Sequence, residues 1–192
     1  MVRLVVLGPH TQLTTPLCAA CPHSPAGCCI SPPPMDLSDV ARIAALDGSQ
    51  WLRDEIANGR LEPAGLGLRV TKRRGRTGPT GPRVAKCVYH GDRGCTVPEA
   101  RRAATCNYYV CESALVATDE RDPAQGARAR AAHAQLQRDY ERWEGILARE
   151  AAERFPEGAV FDDATLEWLA ARWEELTAGT SIDPSEPEPA SP

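Results

Sequence analysis

The stretch Cys18-Ala19-Ala20-Cys21-Pro22-His23-Ser24-Pro25-Ala26-Gly27-Cys28-Cys29 holds four of the chain's eight cysteines. The other four, Cys87, Cys95, Cys106 and Cys111, follow after a long cysteine-free interval. The full spacing is Cys-x2-Cys-x6-Cys-Cys, then Cys-x7-Cys-x10-Cys-x4-Cys. Thiolates are soft ligands that suit zinc and iron–sulfur clusters, and a Cys-x2-Cys turn brings two sulfurs towards one ion. The expected ligand set is therefore Cys18, Cys21, Cys28, Cys29, Cys87, Cys95, Cys106 and Cys111. Adjacent side chains diverge in extended backbone and converge in a turn, so Cys28 and Cys29 point to a polynuclear centre or two close sites. That pair favours an iron–sulfur cluster over zinc, and both cofactors stay open. Arg93, Arg101 and Arg102 are placed in sequence to offset the charge of so many thiolates.

The chain has 192 residues, 42% of them apolar and only 5% aromatic, with net charge −4. Its aromatic anchors lie late, at Trp143, Phe155, Phe161, Trp168 and Trp173. The cysteine-rich front half therefore looks in need of a staple other than packing. No apolar run approaches the ~20 residues of a membrane span. Val2-Arg3-Leu4-Val5-Val6-Leu7 is also too short for a secretory signal. A cytoplasmic location is expected, where cysteines read as ligands rather than as disulfides.

Around the first cysteines, Pro22, Pro25 and Gly27 predict a loop. After the stiff spacer Ser31-Pro32-Pro33-Pro34, a helix is predicted from Asp36 or Ser38, with Leu37, Val40, Ile43, Ala44 and Leu46 at helical spacing, ending at Asp47-Gly48. A second is predicted over residues 49–58. Leu66, Leu68 and Val70, then Val84 and Val88, predict the strands of one β-hairpin, joined by Gly75 to Pro82. Tyr89 to Thr96 reads as a turn carrying Cys95, and a short helix from about Pro98 presents Cys106 and Cys111. Beyond Asp122, the stripe Ala132, Leu136, Tyr140, Trp143 and Leu147 predicts a long helix to about Arg154. Asp162 or Asp163 caps a last helix, and residues 178–192, rich in Pro and acid, read as disordered.

The expected fold class is α+β and mostly helical. A small cysteine-rich, metal-centred domain with a β-hairpin covers residues 1–118, an antiparallel helical hairpin residues 119–177 and the tail residues 178–192.

The first cysteine group, its proline spacer and the helix Leu37-Ser38-Asp39-Val40-Ala41-Arg42-Ile43 resemble the YkgJ-like cysteine-cluster family. So does Cys87-Val88-Tyr89-His90-Gly91-Asp92-Arg93-Gly94-Cys95-Thr96-Val97, with Cys106 and Cys111 as the two closing cysteines. The resemblance covers roughly residues 15–112. It implies a zinc- or iron-chelating domain. The sequence departs from the family where Arg101-Arg102-Ala103 and Asn107 flank Cys106. A related cysteine arrangement in flagellin lysine methylases implies an enzymatic alternative.

His23 and His90 lie inside the cysteine segments and could replace a thiolate, but eight sulfurs already suffice, so both read as solvated or supporting groups. His10 has no supporting context, and His133 reads as a helix-surface residue. The basic run Lys72-Arg73-Arg74-Gly75-Arg76 lacks stacking aromatics and reads as a solvated hairpin tip, so nucleic acid is disfavoured as a partner. The C-terminal Trp and Leu stripes read as core, with a protein-binding face as the alternative. Asp36, Asp39 and Asp92 read as caps and turn residues. The sequence has no phosphate loop, nucleophile elbow or His-Glu-x2-His motif. The leading expectation is a binding module whose metal ions serve as scaffold, store or redox-sensitive element. A metal-dependent enzyme and a zinc-stabilised nucleic-acid or protein adaptor are the alternatives.

Overall fold

Hairpins precede and separate short helices in the first two thirds of the chain, and two longer helices follow. The computed structural model describes residues 1–19, 21, 23, 27–76 and 83–182. Strands β1 (Arg3–Val5) and β2 (Gln12–Thr14) form the first hairpin. Short 3-10 turns follow at Pro16–Cys18 and Gly27–Ile30. Helices α1 (Leu37–Ala45) and α2 (Ser49–Ala57) come next. Three hairpins then pair β3 (Leu61–Ala64) with β4 (Gly67–Val70), β5 (Lys72–Arg76) with β6 (Arg83–Cys87), and β7 (His90–Gly91) with β8 (Gly94–Cys95). A 3-10 turn at Glu99–Arg101 leads to α3 (Ala104–Tyr108), α4 (Glu112–Asp119), α5 (Pro123–Arg154) and α6 (Asp163–Thr177). The chain is thus an α+β fold with small antiparallel hairpins.

Helix α1 is the hub. Every residue from Leu37 to Ala44 is buried, because α6, α5, α2 and β4 all pack around it. Its first turn is capped from a distance. Asp36 occupies the N-cap position without a side-chain bond, and Glu144 of α5 accepts the Ser38 N–H instead, at 2.7 Å. The predicted end at Asp47-Gly48 agrees with the observed one, and α2 (C-cap Asn58) fills the predicted span 49–58.

The predicted hairpin proves to be two. Leu68 and Val70 pair backwards, opposite Pro63 and Leu61, while the basic run forms its own strand with Arg73 opposite Lys86. The alternation of Leu66, Leu68 and Val70 marks one strand correctly, but the charged strand β5 has no apolar alternation to announce it. Gly75 and Arg76 belong to β5, whereas the expected connector from Thr77 to Pro82 lies outside the described residues.

The last helix starts at its predicted cap, where Asp162 accepts from Thr165 N–H at 2.9 Å; α5 starts just past Asp122, which accepts from Gln125 N–H at 3.0 Å. Their contacts run antiparallel: Phe155 meets Trp168, Glu150 grips Arg172 through two bonds of 2.8 Å, and Trp143 meets Trp173 edge to face at 5.0 Å. Yet α6 packs more extensively on α1 than on α5. One hydrophobic core runs from Val2 to Ile182 and joins front and rear of the chain. The tail is ordered further than its composition suggests. Ile182 is only 3% exposed, and Gln135 donates to the Ser181 carbonyl. The rest of the expected disordered tail, from residue 183, lies outside the described residues.

Candidate metal centre

All eight cysteines carry free thiols, and none is buried: Cys18, Cys21, Cys28, Cys95 and Cys106 are exposed, while Cys29, Cys87 and Cys111 are half-buried. Free cysteine kept for packing is among the most buried residue types. These side chains behave otherwise.

The local folds explain how distant stretches meet. The proline-rich loop closes in a 3-10 turn that holds both Cys28 and Cys29, and this turn packs against β6, which delivers Cys87 at its end. Gly27 enters the turn at φ +55°, and a Cβ there would lie 2.6 Å from Cys21 Sγ. Gly94, at φ +95°, lets the β7–β8 turn approach the Cys18 carbonyl, which a Cβ would meet at 3.3 Å. His23 reaches across to Ser113 of α4, with Nε2 and Oγ 3.3 Å apart, beside Cys111 at the α4 N-cap.

The thiols feel one another's charge. Cys18 is raised by burial first, then by Cys28, Cys111 and Cys21, while Arg102 opposes the shift. Cys28 is held at about 6, chiefly by a hydrogen bond with Cys29. Cys29 is raised by the same bond, by burial and by the charges of Cys28, Cys87 and Cys106. Burial raises Cys87, with Cys95 adding to it and Arg73 opposing. Cys106 keeps some surface, but its thiol is crowded, and that desolvation pushes it up to about 12, helped by Cys95, Asp39, Cys28 and Cys87. These influences link all eight residues into one electrostatic set. Within it the Cys28 and Cys29 thiols converge. Among the described residues, however, no three or more His, Cys, Asp or Glu side chains stand at the spacing of a closed metal site.

The arginines are divided in their roles. Arg102 acts on Cys18 and also donates to the Val97 carbonyl at 2.7 Å. Arg101 instead donates to the Leu46 carbonyl at 2.7 Å, and Arg93 is exposed in the β7–β8 turn. Arg73, absent from the expectation, donates to the His90 carbonyl at 3.0 Å. His90 Nδ1 lies 3.0 Å from Lys86 Nζ, and burial followed by the Lys86 charge lowers the imidazole.

Two buried polar locks hold the cysteine-bearing segments to the helices. Asp39 accepts the Ala104 N–H at 2.6 Å at the start of α3 and faces Arg42 at 3.4 Å. Arg42 in turn donates to the carbonyls of Ala100 and Arg102. In the second lock, Tyr89 donates to Glu55 at 2.6 Å, and Arg60 grips the same carboxylate through two 2.5 Å bonds. Asp39 and Arg42 share the helix quoted for the family resemblance, but only the fold reveals their partners. His133 is no plain surface residue: it is half-buried against the rings of Tyr108 and Tyr109.

No family model, curated protein or solved structure matches this chain. Among the described residues, no helix is long and apolar enough to cross a membrane.

Proposed function

We propose that this protein is a metal-binding cysteine-cluster protein of YkgJ-like type. The eight cysteines would hold an iron–sulfur cluster or zinc that serves as scaffold, metal store or redox-sensitive element. One observation carries this reading: eight free thiols, none buried, lie on two separated stretches that pack together, the Cys28–Cys29 turn against β6 and the β7–β8 turn against Cys18. Soft thiolates suit both cofactors. The convergence of Cys28 and Cys29 favours a centre of more than one metal, in which sulfurs bridge and share charge. Binding requires deprotonation of the thiols. Unbonded thiols also fit a reducing compartment, which makes a cytoplasmic location part of the proposal.

The test removes ligands from each half. Cys18→Ser with Cys21→Ser, and separately Cys106→Ser with Cys111→Ser, should each lower metal content in protein prepared without oxygen. Full retention in either double variant would show that its half contributes no ligands.

A further inference from the structure

We infer that the cleft between the Leu7–Gln12 connection and helices α1 and α3 binds a small neutral molecule through a carboxamide-type edge. The cleft has a volume of about 420 Å³, within the range of small-molecule sites. Apolar and aromatic side chains, among them Leu46, Tyr108 and Tyr140, form its walls, and Leu7 stands at its rim, 53% exposed.

Three residues of this lining each carry a polar atom that is buried without a hydrogen-bond partner among the described residues: Arg42 Nε, Asn107 Oδ1 and His10 Nδ1. Arg42 is 2% exposed. A buried donor or acceptor left unpaired is costly, so such groups mark a place where a partner is needed. Nε–H of Arg42 calls for an acceptor. Asn107 Oδ1 calls for a donor, and its orientation is fixed because Nδ2 donates to the Glu99 carbonyl at 2.8 Å. A flipped amide would set two oxygens against each other. A carboxamide or lactam supplies a C=O and an N–H from one flat group, and an aromatic body suits the tyrosine walls.

Charge decides against an anion. The remaining guanidinium nitrogens of Arg42 are spent on Asp39, Ala100 and Arg102, so its charge is matched by a carboxylate. Glu99, paired with Arg102 at 3.3 Å, places a carboxylate on the lining itself. Burial, followed by the Arg42 charge, lowers His10, which favours the neutral imidazole. The site is separate from the cysteines. Ala104, Asn107 and Tyr108 line the cleft at i, i+3 and i+4 of α3, and Cys106 falls on another face of that helix.

The test titrates benzamide into the full chain and follows saturation-transfer NMR and the Trp fluorescence, since Trp173 adjoins both His10 and Tyr140. Saturable binding is expected, with a Kd of about 1 mM for so small a probe. Benzoate, which is charged, and N,N-dimethylbenzamide, which has no N–H, should each bind at least about 10-fold more weakly. Asn107→Leu should weaken benzamide by about 10-fold and, since it also loses the bond to the Glu99 carbonyl, lower the melting temperature modestly. The probe comparison on the unaltered protein decides the matter if that variant misfolds. Equal binding of the three probes, or no saturable binding because water alone satisfies these atoms, would overturn the assignment.

Discussion

Asp39 illustrates how much a single buried carboxylate holds in place. It joins α1 to α3 through the Ala104 N–H and faces Arg42, which is itself buried and tied to two carbonyls. Asp39→Ala would leave a guanidinium buried without its counter-charge, and chemical denaturation should show a loss of about 3–5 kcal/mol. Burial raises the Asp39 carboxyl to about 6 from an ordinary 3.8. The folded state therefore holds that proton more tightly than the unfolded chain between these values. Stability should fall as pH rises through that window and level off above it, and Asp39→Asn should remove the slope. Cysteine reactivity is a second expectation at this scale. Cys28 is exposed and its thiol is held at about 6, whereas Cys29 and Cys106 are raised. Iodoacetamide applied to metal-free protein near neutral pH should modify Cys28 before Cys29 and Cys106, as peptide mass mapping would read. Uniform labelling of the three would contradict the inequality.

Among elements, the small hairpins act as positioning devices for the cysteines. The β7–β8 turn reaches Cys18 only because Gly94 has no Cβ and accepts φ +95°. Gly94→Ala should cost about 1–3 kcal/mol, and on the proposed function it should reduce bound metal as well. Metal content equal to that of the parent protein would show that this turn does not position a ligand. Helical elements were legible where the sequence carries periodicity and caps. The stripes of α1 and α6, the Asp162 cap and the glycine stop after α1 all announce themselves locally. The strand β5 did not, because Lys72 to Arg76 is held by pairing with β6 and has no apolar face to advertise. The cap of α1 was equally hidden, since Glu144 lies far along the chain from Ser38. A local pattern cannot disclose a partner that only tertiary packing supplies.

At the scale of the molecule, the front half packs more apolar surface than its few aromatics imply. Its apolar residues, among them Leu37, Val40, Ile43 and Leu52, are wholly buried, and α6 from the rear of the chain supplies much of their cover. The cysteines were legible as candidate ligands from spacing alone, but their mutual influence and exposure required the fold. The division of labour has a consequence. On the proposed function, removing metal should loosen the cysteine-bearing segments while leaving α1, α5 and α6 protected, which hydrogen exchange with and without chelator would resolve segment by segment. Loss of protection throughout would mean that metal, not the shared core, holds the helices.

The most direct check of the central claim is the metal and acid-labile sulfide content of the full chain, purified without oxygen, read together with its visible spectrum. Stoichiometric iron with sulfide and absorption in the visible range, or stoichiometric zinc in a colourless protein, is expected. In either case the metal should be lost when the cysteines are alkylated. A freshly prepared, folded protein that holds no metal and takes up neither iron nor zinc on reconstitution would contradict it.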